Sequence, residues 1–366
     1  MCCVTLLAHC VTLAVNGQSI TTDSLATKET VMLYRNMFKL KDKGVMYGHQ
    51  EDPAYGVGWE YEEKRSDVKD VTGSYPAVYG WDAGRIEVGS TLNLDGVPFQ
   101  QMVRYMQEAY KRGGINTISW HMNDPVTAGT SWIATKSNSV KLILDSARYQ
   151  AEFKKYLDKF ADYVSLVKGE DGEMIPIIFR PFHESTGDWF WWGKTSCTPA
   201  EYIALWRFTF NYLVHEKNLH NLLFAYSSSD FISIADYSER YPGDDFVDIV
   251  GFDAYCEKDP ETYGPYLNNR LQLLSNFAIE HKKLPALTEF GYNTIPDPYW
   301  WTQTILPLFK LTKVSYALTW RNWKEEHFFT PYPGQVSAND FEVFFKDDVT
   351  LFQKDLKSSI YRKQMK

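Results

Sequence analysis

The chain is predicted to be an α/β protein, a single (β/α)8 TIM barrel, on three observations. Eight short apolar runs bounded by turn residues recur along 366 residues, helix-like stretches separate them, and no internal repeat or low-complexity linker divides the chain. The runs are Gly44–Gly48, Ala77–Trp81, Gly114–Trp120, Met174–Phe179, Asn221–Tyr226, Asp248–Phe252, Pro285–Thr288 and Ser315–Trp320. Each has the length and apolar character of a buried strand.

The helices are read in the same order. Glu29–Leu40 precedes the first strand, and Phe99–Arg112, Tyr149–Lys168, Ala200–Lys217, Tyr266–Lys282 and Tyr299–Lys310 fall between later ones. Phe153, Tyr156, Leu157 and Phe160 recur at helical spacing with charged residues on the other face. The fifth unit is the weakest, with only Ile232–Arg240 available for its helix, and the second strand is followed by a long loop over residues 83–97. An open doubly wound sheet is disfavoured. Its glycine-rich phosphate turn follows the first strand, whereas Gly56-Val-Gly58-Trp-Glu-Tyr61 lacks the last glycine and lies well past that strand.

Residues 1–18 are expected to be a leader segment and 19–366 the barrel domain. Val4–Val15 is a short apolar run followed by small polar residues, too short to span a bilayer and similar to the centre of a secretory signal. Export is therefore expected, although no Lys or Arg precedes the run. Of five cysteines, Cys2, Cys3 and Cys10 lie in that segment, leaving Cys197 and Cys256 to form at most one disulfide. The net charge of -8, with no basic stripe, argues against a nucleic-acid partner, and no other stretch is apolar enough to cross a membrane. A monomer is expected. Aromatic residues make up 16% of the chain, and many stand beside Gly, Asn, Asp or His, a pattern suited to flat, partly apolar ligands such as sugar rings.

A barrel places its chemistry at the C-terminal ends of its strands. Polar or aromatic groups follow seven of the eight runs: His49-Gln50, Trp81-Asp82, His121-Met-Asn123, Arg180 to Glu184, Asp253-Ala-Tyr255, Glu289-Phe-Gly291 and Trp320-Arg-Asn-Trp323. Glu184, with Trp189, Trp191 and Trp192 close behind it, has the setting of an acid whose pKa is raised by an apolar pocket. Paired with Glu289 at one mouth, it meets the needs of glycoside hydrolysis: one acid for the leaving oxygen and one carboxylate for the oxocarbenium-like centre. Arg180 is placed to hold Glu289 ionised by charge and hydrogen bonding.

Arg180-Pro-Phe-His-Glu184, Trp189, Trp191-Trp-Gly193 and Thr288-Glu-Phe-Gly291 together resemble glycoside hydrolase family 26. Tyr47-Gly-His-Gln50, Ser119-Trp-His121 and Leu318-Thr-Trp320 extend the resemblance over roughly residues 30 to 345. It implies a retaining endo-β-1,4-mannanase working by double displacement on mannan, glucomannan or galactomannan, with Glu184 as acid/base and Glu289 as nucleophile. It implies that His183 orients the nucleophile or a sugar hydroxyl, that Tyr255 bonds Glu289, and that His121, Trp189 and Trp320 surround the sugar. By a looser match Trp132 extends the Trp320 platform. No metal or organic cofactor is implied.

Alternatives stay open on the sequence: release of mannobiose from chain ends, or cleavage of β-1,3-xylan or mixed-linkage glucan. Metal-dependent hydrolysis, prompted by His49, His121 and His183, is disfavoured because neither a His-x-His pair nor His-Glu-x-x-His occurs. A non-catalytic sugar-binding module would not need both glutamates. Asp82, Asp253 and Asn322 are expected behind the sugar-contacting residues or at the rim.

Overall fold

The computed structural model describes residues 21–363 apart from 133–136 and 258, together with 365; the expected leader, with Cys2, Cys3 and Cys10, lies outside the described residues. Eight strands close into a parallel barrel: β1 Val45–Gln50, β2 Val78–Asp82, β3 Ile115–Ser119, β4 Ile177–Arg180, β5 Leu222–Ser228, β6 Ile249–Cys256, β7 Leu284–Tyr292 and β8 Tyr316–Thr319. Neighbours pair in chain order, and β8 returns to β1 through Tyr47↔Ala317 and Gly48↔Leu318. Nearly every strand position is buried, as a barrel filled inside and covered outside by helices requires.

The helices are α1 Lys28–Leu40, α2 Asp67–Thr72, α3 Phe99–Arg112, α4 Ser139–Asp145, α5 Ala147–Val164, α6 Pro199–Asn211, α7 Ile234–Ser238, α8 Pro260–His281, α9 Leu306–Leu311 and α10 Ala338–Lys346. Their ends follow local chemistry. Thr198 and Glu201 form a reciprocal capping box at the start of α6, with Pro199 in the first turn. Gly113 ends α3 at φ 88°, a left-handed conformation open to glycine at no steric cost. The helix read through Lys217 changes to a π-turn over Tyr212–Glu216, and the one read from Tyr299 opens with another over Trp300–Ile305. The fifth unit is short, as expected, with α7 holding five residues.

Four features were not anticipated: α2, α4, α10 and a small antiparallel hairpin, Tyr55–Gly56 with Trp59–Glu60, after β1. A further short strand, Thr350–Leu351, adds beside β1. Cys197 and Cys256 are both buried, and no disulfide joins them to each other. No helix among the described residues is long and apolar enough to cross a membrane.

Candidate active site

β4 ends on Arg180, and the chain then turns sharply. Phe182 and Glu184 both take left-handed backbone angles, φ 49° and 54°, which cost non-glycine residues roughly 1 kcal/mol or more each. Three hydrogen bonds hold the turn there. Tyr202 donates to the Phe182 carbonyl at 2.9 Å, Trp192 Nε1 donates to the His183 carbonyl at 2.8 Å, and the Glu184 N–H donates to the Ser227 carbonyl at 2.9 Å. Trp191 and Trp192 are fully buried beneath the turn, both packed edge-on against Phe182, and do not wall the cleft as their position behind Glu184 suggested. Trp189, at 38% exposure, faces solvent and donates Nε1–H to Glu184 Oε2 at 2.8 Å.

The other carboxylate is placed by a bulge. Phe252 pairs with Leu287 but Asp253 pairs with Glu289, so Thr288 is the extra residue on β7. Such an insertion bends the strand and re-aims the side chains beyond it. Thr288 Oγ1 donates to Asp253 Oδ1 at 2.8 Å, and Ser227 Oγ donates to the same oxygen at 3.0 Å. Arg180 Nη1 then bonds Asp253 Oδ2 at 2.8 Å, and its Nη2 bonds Glu289 Oε1. Tyr255 donates its hydroxyl to Glu289 Oε2 at 2.7 Å. Glu289 is 4% exposed, and both of its oxygens accept hydrogen bonds, one from a guanidinium and one from a phenol. Glu289 and Tyr255 thus lie within longer strands than the sequence suggested, not in the loops after them.

Electrostatics separates the two glutamates. Burial, and then the negative charge of Glu289, push the Glu184 carboxyl up to about 7, against the opposing pull of Trp189, Arg180 and His121. Burial works against the Arg180 cation, yet Asp253 and Glu289 outweigh it and hold the guanidinium charged. Burial and the adjacent Glu289 raise the Tyr255 phenol well above its ordinary range, which keeps it a hydrogen-bond donor.

His121 lies just past β3, with Nδ1 2.7 Å from Asp82 Oδ2 and Nε2 3.3 Å from His183 Nε2. Its ring stacks on Trp132 at 5.0 Å between centroids and meets Trp320 edge-on at 6.2 Å. Trp132 is 45% exposed and forms an isolated bridge with Phe190, whose ring packs on both histidines. The structure therefore brings Arg180, Glu184, Glu289, Tyr255, His121, His183, Trp189, Trp132 and Trp320 to one end of the barrel. The hydrogen bonds to Glu289 come from Arg180 and Tyr255, while the His183 ring is bonded to His121.

His49 stands apart, buried against Asp52 at 2.9 Å, and Asn322 is buried against Asp67 and the Thr330 carbonyl. Asp82 and Asp253 are buried behind the mouth, each bonding a residue that lines it. Ser227 and Phe190 were not read as site residues. Ser227 is the penultimate residue of a mostly apolar strand, and Phe190 sits among tryptophans in a loop, so neither carries a periodic or motif signal. Among the described residues no three His, Cys, Asp or Glu side chains converge so that they could hold a metal ion.

A glycosyl hydrolase family 26 model matches residues 22–327. The chain is 32% identical over 360 residues to a mannan endo-1,4-β-mannosidase of Bifidobacterium adolescentis, covering 90% of this chain and 35% of that protein. It is 32% identical over 231 residues to a mannan endo-1,4-β-mannosidase of Bacillus subtilis, covering 59% of this chain and 60% of that one. The chain thus spans about a third of the first relative and three fifths of the second. A family 26 β-mannanase structure from Bacteroides ovatus superposes with a TM-score of 0.89 at 42% identity, covering 92% of this chain and 98% of that one. A modular endo-β-1,4-mannanase from Cellulomonas fimi superposes with a TM-score of 0.86 at 32% identity, covering 94% and 80%. With the barrel, the two glutamates at its mouth and these matches in agreement, the chain belongs to glycosyl hydrolase family 26.

Proposed function

We propose that the protein is an endo-acting, retaining β-1,4-mannanase that cleaves mannan, glucomannan or galactomannan. The observation that carries this reading is the opposite treatment of two carboxyl groups in one site. Glu289 is held by a guanidinium and a phenol, while Glu184 beside it is pushed up to about 7. The relatives named as mannan endo-1,4-β-mannosidases support the choice of glycan.

In this mechanism the protonated Glu184 gives its proton to the glycosidic oxygen as the C1–O bond breaks, and Glu289 forms an ester bond to C1. The Glu184 carboxylate then takes a proton from water, whose oxygen attacks C1 and releases Glu289, restoring both groups. Arg180 and Tyr255 disperse the negative charge of Glu289 before attack and after release. Exposed Trp132 and Trp189 offer apolar faces for pyranose rings. The leader-like run of residues 4–15 fits export toward an extracellular polymer, and we infer action as a monomer.

The test is a time course of products from linear β-1,4-mannan, with β-1,3-xylan and mixed-linkage glucan alongside. A spread of mannooligosaccharides of β-configuration is expected. Mannobiose alone from the outset would overturn endo action, and cleavage of another glycan in place of mannan would overturn the substrate. Glu289→Ala is expected to lose at least ~10³-fold in kcat. Glu184→Ala is expected to lose far more on mannan than on an aryl mannobioside with a good leaving group; equal losses would remove Glu184 from the acid role.

A further inference from the structure

Asp82 lies at the end of β2, fully buried, with its carboxylate accepting from the Gly84 N–H at 2.7 Å, the Ser119 hydroxyl at 3.0 Å and His121 Nδ1 at 2.7 Å. A carboxylate only accepts hydrogen bonds, so His121 Nδ1 must carry a proton. Between His121 Nε2 and His183 Nε2, 3.3 Å apart, there is room for one proton. His183 Nδ1, in a ring 1% exposed, has no partner among the described side chains and backbone groups.

These constraints leave two arrangements. With His121 neutral, its Nε2 is a lone pair, so His183 donates from Nε2 and its Nδ1 is bare. With His121 cationic, its Nε2–H donates, so His183 must accept at Nε2 and carry its own proton on Nδ1. One proton added to the pair therefore changes the tautomer of His183 without turning either ring.

We propose that Asp82, His121 and His183 form a proton relay. A proton taken up at His183 Nδ1 displaces the Nε2 proton onto His121, and Asp82 is the positioning residue that fixes both tautomers. The groups facing the pair agree on where the charge rests. Burial disfavours a cation on His121, but Asp82 from β2, Glu289 from β7 and Asp95 from the loop over residues 83–97 together outweigh it. Burial, then Arg180 from β4 and His121 itself, keep His183 from holding the charge. Trp132, Phe190 and Trp320 enclose His121 without charge. The stored charge acts on Glu184, whose carboxyl His121 pulls down. That kinetic coupling rests on Glu184 being the acid; the relay does not.

The experiment is a nitrogen-15 NMR titration of the histidine rings in the wild-type chain, paired with pH profiles of kcat/KM on an aryl mannobioside for wild type, Asp82→Asn and Ser119→Ala. His121 is expected to keep its Nδ1 proton throughout. As pH falls, His121 Nε2 should gain a proton while the His183 proton moves from Nε2 to Nδ1. In Asp82→Asn the alkaline limb should move upward by roughly half a unit or more, because without the Asp82 carboxylate His121 no longer holds the positive charge that pulls Glu184 down. Ser119→Ala, which keeps that charge, should leave the limb in place. A His183 tautomer that stays constant across the titration would overturn the relay, whether or not Asp82→Asn folds. A tautomer change with an unmoved limb would overturn the coupling to Glu184. Wild-type enzyme inactive on every β-glycan but showing the tautomer change would overturn the proposed function alone.

Discussion

Two effects compete at Glu184: burial of its carboxyl, and the Trp189 Nε1–H bond to one oxygen at 2.8 Å. The first raises the carboxyl's pKa and the second lowers it, and burial wins, since Glu184 reaches about 7. If Glu184 must be protonated to act, kcat/KM should fall as pH rises through about 7. Trp189→Phe removes the donor and keeps an aromatic ring. The carboxylate form loses a hydrogen bond, so its pKa should rise and the alkaline limb should move up by a few tenths of a unit. A limb that moves down would mean that lost cover outweighs the lost bond. Thr198 and Glu201, by contrast, are legible at this scale from neighbours alone, because a capping box needs only four consecutive residues.

The β6–β7 pair sets the geometry that the residues use. Thr288 is its extra residue, and its hydroxyl bonds both the Phe252 carbonyl and Asp253. Gly251 makes room for it: a Cβ at that position would lie 2.6 Å from Thr288 Cγ2 and 2.8 Å from its Oγ1. Gly251→Ala should therefore displace Thr288, and through Asp253 the Arg180 fork that holds Glu289. A stability loss of about 1–3 kcal/mol is expected from overpacking. It should be accompanied by a kcat loss larger than any change in KM, read by thermal melts and steady-state kinetics on mannan. Unchanged kcat in a folded variant would show that the bulge tolerates movement without passing it to Glu289.

Across the whole molecule, the chemistry and much of the stability occupy different places. Phe352 is fully buried outside the barrel, stacked on Tyr47 at 4.9 Å and packed edge-on against Phe345 at 4.9 Å. The C-terminal segment it anchors also reaches the residue before β3, where the Tyr361 hydroxyl donates to the Gly114 carbonyl at 2.5 Å. Phe352→Ala should cost about 3–5 kcal/mol, seen as a lower Tm. At a temperature where the variant remains folded, kcat on an aryl mannobioside should stay within about twofold of wild type. A larger loss would tie this outer layer to the mouth of the barrel.

By itself, the sequence determined the barrel, its eight strands to within a few residues, and the ends of those strands that carry chemistry. These are local properties: apolar runs that must be covered on both faces, caps written in consecutive residues, and polar groups that cannot follow a strand into the core. That Glu184 and Glu289 meet at one mouth was readable because each sits in a motif near the end of a strand. Only the tertiary structure decided how Thr288 bulges to aim Glu289, that Trp191 and Trp192 lie beneath the turn while Trp189 faces the cleft, and that His183 reaches His121. It also decided that His49 turns away toward Asp52. Each of these depends on contacts between residues far apart in the chain, and a hydrogen bond across a barrel leaves no period or spacing in the sequence. Asp82 illustrates the difference: the sequence puts it at a strand end, and only closure of β2 against β3 makes it the group that fixes a histidine's proton.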